Sequence, residues 1–328
     1  MPFGTRPKLK GSKTVRQMYH FLAFFTICIW GTTFVSTKLL LQAGLSPTSI
    51  FVWRFAMAYV GMLALSHRRL FCRSWRDEAI MMVAGLTGGY LYFITENTAL
   101  KCAPAGIISL IVCLAPLFTA LGALFTANKS GLTRRLWWGM AIALGGVALV
   151  VGRGEGPGAN NMLLGGGLAL MAAALWAVYQ HVVKPLADKY GTALLTRKVF
   201  GYGLLAAIIG EPLLSLVSDA HGYSVIVAEV SPAITRPLVW GNLLFLGLIA
   251  SLACYFIWNK VAQQLGAVVS ANYIYLNPLT TCLFSAIFLG EPLTPMIVLG
   301  GTAILLGVWL AVGQPADKDR LHSAIKSK

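Results

Sequence analysis

Apolar stretches of similar length, separated by short polar breaks, run almost to the end of the chain. Ten of them read as helices, at 19–41, 47–66, 78–100, 104–126, 136–151, 162–184, 195–217, 238–260, 267–289 and 294–312. A helix that crosses a bilayer needs about 20 mostly apolar residues, and most of the ten reach that length. The breaks hold turn formers, as in Gly44-Leu-Ser-Pro47 and Gly290-Glu-Pro292, where one helix has to stop and another start. The pattern predicts an all-α integral membrane protein with ten transmembrane helices. Tails at 1–18 and 313–328 and a linker at 152–161 lie outside them. The longest break, 218–237, carries Asp219, His221 and Glu229.

Composition sharpens this reading. Of 328 residues, 57% are apolar and only 11% charged. A soluble domain carries about 25% charged residues, so too few are present to cover a surface facing water. Soluble enzymes, secreted disulfide scaffolds and nucleic-acid-binding proteins are excluded. The net charge of +15 instead orients the chain. With the N-terminus inside, 21 Lys and Arg fall in or beside cytoplasmic segments, and 3 (Lys101, Arg153 and Arg236) fall outside. That asymmetry is the positive-inside rule, and it places both termini in the cytoplasm of a cell whose inner (plasma) membrane holds the protein.

The first apolar run has no small-residue cleavage site and reads as a span rather than a removable signal. The six cysteines show neither metal-ligand nor C-x-x-C spacing, so no metal, cofactor or disulfide framework is expected. An intramembrane enzyme would need a motif such as H-E-x-x-H or G-x-S-x-G, and none is present. A channel would show a continuous polar stripe or charged rings, which the scattered polar positions do not make.

Internal similarity organises the ten spans. Trp30 and Lys38 are eight residues apart, as are Trp176 and Lys184. Leu114-Ala-Pro116-Leu117-Phe-Thr119 matches Leu276-Asn-Pro278-Leu279-Thr-Thr281, and Asn97 matches Asn259 at the same offset of 162. Gly139, Gly146 and Val147 match Gly300, Gly307 and Val308 at an offset of 161. Two five-helix units, 19–151 and 162–312, account for these matches. Because five is odd, the second unit enters the membrane from the opposite face. The prediction is a pair of inverted repeats around a site near the midplane.

Trp30-Gly31-Thr32-Thr33-Phe34 with Lys38, followed by Trp53-Arg54-Phe55, resembles the opening of an EamA-type carrier of the drug/metabolite transporter superfamily. Leu289-Gly290-Glu291-Pro292-Leu293-Thr294 resembles that family's repeat ending. The resemblance covers 19–312, with one departure: Asn128-Lys129 stands where the first repeat would carry Gly-Glu. It implies a ten-helix carrier, often an exporter of amino acids or other metabolites. The implied cavity lies between the repeats, lined by the first, third, fourth, sixth, eighth and ninth spans.

Polar groups inside the spans supply the candidate chemistry. A charge at the middle of a span costs about 2.5–3.5 kcal/mol, so it faces the bundle interior or water. Lys38, Arg54 and Glu96 lie near the outer ends of their spans, and Glu96 is expected to pair with Arg54 or Lys38. Such a set is either a structural ion pair or a gate, and Lys38 alone could snorkel outward. Glu96 facing an apolar cavity would be a candidate for proton coupling. The inverted relation gives Lys184, Arg197 and Asn259 as an inner counterpart, although Arg197 also fits the positive-inside rule.

Tyr92 with Glu96, Trp176 with Gln180 and Tyr255 with Asn259 are i, i+4 pairs, and Asn272 with Tyr275 is an i, i+3 pair, so each shares a helix face. Together with Trp258 and Asn277 they read as a substrate pocket. Taken singly, such amides also serve as interhelical hydrogen bonds. Tyr92, Trp176, Tyr255, Trp258 and Tyr275 would hold apolar parts of a solute, and Glu96, Gln180, Asn259, Asn272 and Asn277 its polar groups. Pro116 and Pro278 are either hinges or fixed kinks. Trp75, Trp137, Trp138 and Trp240 sit at span ends as interface anchors. The expected activity is alternating-access export of a small organic solute, an amino acid or similar amphipathic metabolite; multidrug efflux is the alternative.

Overall fold

A computed structural model describes residues 13–65, 70–122, 134–152, 161–217, 235–265 and 273–312, and among them regular structure is entirely helical. Helix α1 spans Lys13–Gln42 and α2 Pro47–Leu65, α3 runs over Trp75–Cys102, α4 over Ala105–Gly122, and α5 over Arg134–Gly152. Then come α6 (Met162–Tyr190), α7 (Thr192–Val217), α8 (237–265), α9 (Leu276–Phe288) and α10 (Pro295–Val312). Among the described residues, eight helices, α1 to α8, are long and apolar enough to cross a membrane, and α9 and α10 are shorter apolar helices. Phe21, Val60, Ile209 and Trp309 point outward, a surface suited to lipid rather than water. The chain is a multi-pass membrane protein.

Local chemistry sets the helix ends. Ser74 accepts from the backbone N–H of Arg76, and Asp77 and Glu78 fill the first turn of α3, where acidic groups complement the helix dipole. Pro47 opens α2, where its missing N–H costs nothing. Gly191 between α6 and α7 has φ 74°, and Gly290 after α9 has φ 66°, a conformation that favours glycine at helix C-termini.

The apolar pattern places these helices closely but misses two features. First, α3 and α8 each contain a π-helical segment, Gly85–Leu91 and Phe245–Ala253. Second, α4 is interrupted at Cys113 and Leu114, between Ala105–Val112 and Ala115–Gly122. Short i→i+3 bonds, Leu114 N to Ile111 O at 3.0 Å and Leu117 N to Leu114 O at 2.8 Å, carry the chain through the break. Pro116 cannot donate a backbone hydrogen bond, so it is accommodated in the first turn after the break. Pro278 lies likewise in the first turn of α9. The first residues of the expected ninth span, including Asn272, lie outside the described residues.

Packing interlocks the two parts of the sequence. Phe34, Leu100, Ile108 and Leu114 share a core with Ala169, Ile304 and Val308. Phe51, Phe55 and Phe93 share another with Leu195, Val199 and Phe200. Helices α5 and α10 cross at glycines: a Cβ on Gly139 would stand 2.4 Å from the Gly307 carbonyl oxygen, and one on Gly146 2.6 Å from that of Gly300. Small residues are what allow membrane helices to approach so closely.

Candidate functional site

Beside the break in α4 lies a cavity of about 140 Å3. A water needs about 10–15 Å3 on such a scale, so the space has room for several waters. Ile27, Trp30, Thr33 and Phe34 of α1 face it, with Arg54 of α2 and Tyr92, Phe93 and Glu96 of α3. The α4 break contributes Ser109, Val112, Cys113 and Pro116, and Trp176, Tyr255, Ile274 and Asn277 complete the wall. The π segments end immediately before Tyr92 and Cys254, so each sets the face on which the cavity residues of its helix emerge. The lining includes the first, third, fourth, sixth and eighth helices and the start of the ninth, and it adds the second through Arg54.

Aromatic rings form most of the wall. Tyr92 packs on Trp176 at 5.1 Å between centroids and edge-on against Phe93 at 4.7 Å. Trp30 stands 5.4 Å from Tyr255 and 5.3 Å from Trp258, and its indole Nε1 donates to the Ala250 carbonyl at 3.0 Å. A buried indole N–H needs such an acceptor.

Charge enters the cavity through two groups that stay apart. Arg54 donates from Nε to Ser251 Oγ at 2.7 Å, with its guanidinium 4.9 Å from the Phe93 ring centroid and 5.3 Å from that of Phe55. Both ring faces lie within cation–π range. Glu96 is 4% exposed. The Tyr92 hydroxyl and the charge of Arg54 are its polar neighbours, yet its Oε2 has no hydrogen-bond partner, and neither has Asn277 Oδ1. Among the described residues Glu96 makes no direct ion pair.

The expected contact of Glu96 with Lys38 is replaced by a different one. Lys38 donates to the Ala103 carbonyl at 2.6 Å and lies 4.0 Å from Glu291 Oε1. Glu291 in turn accepts from the N–H groups of Ala105 at 2.9 Å and Gly106 at 3.3 Å. The acid thus caps the start of α4, where backbone N–H groups lack partners within the helix. Lys38 is drawn to that capped end rather than to the cavity.

A second polar cluster joins α3 to α6 and α7. Glu78 contacts Lys198 and the Tyr202 hydroxyl and accepts from the Cys72 N–H at 2.7 Å. Asp77 contacts Lys189 and accepts from the Tyr190 hydroxyl at 2.5 Å, and Tyr190 accepts from the Arg73 N–H at 2.9 Å. Burial, reinforced by Glu78, pushes the Cys72 thiol up to about 11. The hydrogen bond that Lys189, beyond the end of its span, donates to Asp77 raises the pKa of the lysine. Arg197 is buried and donates to the Leu70 carbonyl at 3.4 Å.

Of the residues singled out from sequence, the cavity brings together Tyr92, Glu96, Trp176, Tyr255, Asn277, Arg54 and Pro116. Among the described residues the lining does not include Trp258, which stacks behind Trp30, nor Gln180, nor Tyr275, which packs on the first core. Pro278 is buried in α9, next to Asn277. The side chains of Lys184, Asn259 and Asn272 lie outside the described residues. Sequence reasoning passed over Phe93, Ser109 and Cys113 in the cavity, and Ser251, Glu78 and Lys198 in the polar contacts. Only Glu78 and Lys198 left a signal, as charges at the ends of apolar stretches.

Comparison with known proteins bears on this arrangement. The model of the EamA-like transporter family matches the chain twice, over residues 17–152 and 163–313. A probable terminal-alkyne amino-acid exporter of Streptantibioticus cattleyicolor is 28% identical over 296 residues, 87% of this chain and 90% of the relative. An uncharacterized transporter of Archaeoglobus fulgidus is 25% identical, covering 90% of this chain and 97% of its own. A probable amino-acid metabolite efflux pump of Escherichia coli is 25% identical, over 89% and 93% of the two chains. One solved crystal structure shares the fold with a TM-score of 0.57 at 19% identity, covering 90% of this chain and 97% of its own.

Proposed function

Because the chain belongs to the EamA-like transporter family, we propose that it exports an amino acid or similar amphipathic metabolite across the inner membrane by alternating access. As a family member it is a membrane transporter with a small-molecule substrate rather than an enzyme. The observation that carries the finer reading is the cavity itself, where Glu96 Oε2 and Asn277 Oδ1 are buried without partners inside an aromatic wall. A folded chain rarely leaves such acceptors unpaired, and a bound solute would complete them. The exporter and efflux-pump relatives support the substrate class and direction.

In this reading the ten spans form two inverted repeats, 19–151 and 162–312, with both termini in the cytoplasm. Trp176, Tyr92 and Tyr255 hold the apolar part of the solute, and Glu96, Arg54 and Asn277 its polar groups. Lys38 with Glu291 closes the outer end, and the cluster of Asp77, Glu78, Lys189 and Lys198 closes the inner one. Arg197, with Lys184 and Asn259, lies at that inner end. Pro116 and Pro278 mark the points where α4 and α9 bend between states. Protons are the candidate coupling ion through Glu96.

Counterflow in liposomes tests the proposal. Purified protein preloaded with an unlabelled aromatic amino acid should accelerate uptake of the labelled one, and Trp176→Ala should abolish the effect. Flux without trans-stimulation would refute a carrier mechanism.

A further inference from the structure

Two buried acceptor atoms on residues of the cavity wall have nothing to accept from. Glu96 Oε2 and Asn277 Oδ1 belong to residues lining the same space, and neither finds a donor. Leaving such an atom unsatisfied is costly, so two of them beside one void ask for a donor-rich guest. Arg54 does not satisfy Glu96 directly: its Nε is committed to Ser251, and the Phe93 ring stands 4.9 Å from its guanidinium. The remaining wall carries the rings of Trp30, Tyr92, Trp176 and Tyr255, whose π faces attract positive charge.

A carboxylate, an amide carbonyl and π faces form a set that suits one head group above others. An ammonium brings three N–H donors and no acceptor. A hydroxyl brings one donor, and a carboxylate brings none and is repelled by Glu96. We infer that the solute is recognised through a protonated primary amine, which donates to Glu96 and Asn277 while an aromatic or bulky apolar body lies against Trp176 and Tyr92. Arg54 remains available for a carboxylate when the solute has one, but binding does not require it. The inference rests on the proposed reading of the cavity as the transport site and names the chemical group that site selects.

Three probes with the same aromatic body and different heads test it: phenethylamine, 2-phenylethanol and 3-phenylpropionate. Each is added to the purified full-length protein in detergent, and thermal unfolding is followed, because a ligand that binds the native state raises apparent stability by mass action. Phenethylamine should stabilise at the lowest concentration and 3-phenylpropionate least. Glu96→Gln should weaken phenethylamine by about tenfold or more, and 2-phenylethanol by much less. Equal stabilisation by all three heads would overturn amine recognition while leaving the cavity as a solute site. Stabilisation by none would remove both readings. The wild-type comparison needs no variant, so a Glu96→Gln protein that fails to fold does not shield the inference.

Discussion

Replacing Gly146 by alanine tests the α5–α10 crossing, because its neighbour supplies an internal control. A Cβ at Gly146 would stand 2.6 Å from the Gly300 carbonyl oxygen and 2.9 Å from the Ile304 backbone nitrogen, whereas one at Gly145 would meet nothing within 4 Å. Ordinary contact begins near 3.4 Å, so α10 would have to retreat by about 0.8 Å. The nearest obstructing atom is backbone, which cannot rotate aside as the Ile304 side chain could. Overpacking of this kind costs about 1–3 kcal/mol. The gain in helix propensity from Gly to Ala, about 1 kcal/mol, applies to both positions and cancels in the comparison. Gly146→Ala should therefore be less stable than Gly145→Ala by about 1–3 kcal/mol. Equilibrium unfolding in mixed micelles, with increasing SDS and helicity as the signal, measures the difference. Equal stability of the two variants within about 0.5 kcal/mol would show that the helices do not approach at Gly146 as described.

Other consequences follow from the polar contacts. Glu291→Ala leaves the N–H groups of Ala105 and Gly106 without their acceptor and should cost about 1.5–3 kcal/mol in the same titration, with Glu291→Gln recovering part of the loss. Arg54→Lys keeps the charge but loses the bond from Nε to Ser251 and the planar contact with Phe93, so counterflow should fall at least about tenfold while the protein still reaches the membrane. Trp30→Phe removes the indole donor to the Ala250 carbonyl and should destabilise by about 0.5–1.5 kcal/mol in the same titration. Raising Cys72 from 9.0 to about 11 leaves about a hundredfold less thiolate at neutral pH. Maleimide labelling at Cys72, read by mass spectrometry, should therefore climb about tenfold per pH unit and level off only near 11; a plateau near 9 would contradict its burial against Glu78.

Much of this architecture was legible in the sequence because a bilayer imposes a length on every crossing. The apolar stretches located the helices, and i, i+4 spacing put Tyr92 and Glu96 on one cavity-facing side. The same spacing placed Gln180 beside Trp176, yet only Trp176 reaches the cavity; a shared helix face does not say how wide the cavity is. Lys38 was one of two candidate partners for Glu96; its contact with Glu291 was not legible because Glu291 lies far along the chain and reaches it only once α9 and α10 have packed. The π segments left no periodic trace, since a wider turn changes the angle between residues without changing their polarity. Cys113 emerged only with the break in α4, which proline announces without fixing which neighbours become exposed.

The close approach at Gly139, Gly146, Gly300 and Gly307 also has a consequence for self-association. Stripes of small residues are the usual means by which two membrane chains pair, and here that stripe is used up within one chain. Outward, α5 and α10 turn large side chains, Trp137, Trp138 and Leu149 on one and Leu299, Leu306 and Trp309 on the other, and α5 adds the small Ala141, Gly145, Ala148 and Gly152. The glycines that seat α5 on α10 are therefore occupied within one protomer, and only the separate outward set on α5, Ala141 with Gly145 and Ala148 with Gly152, is left open to a second copy.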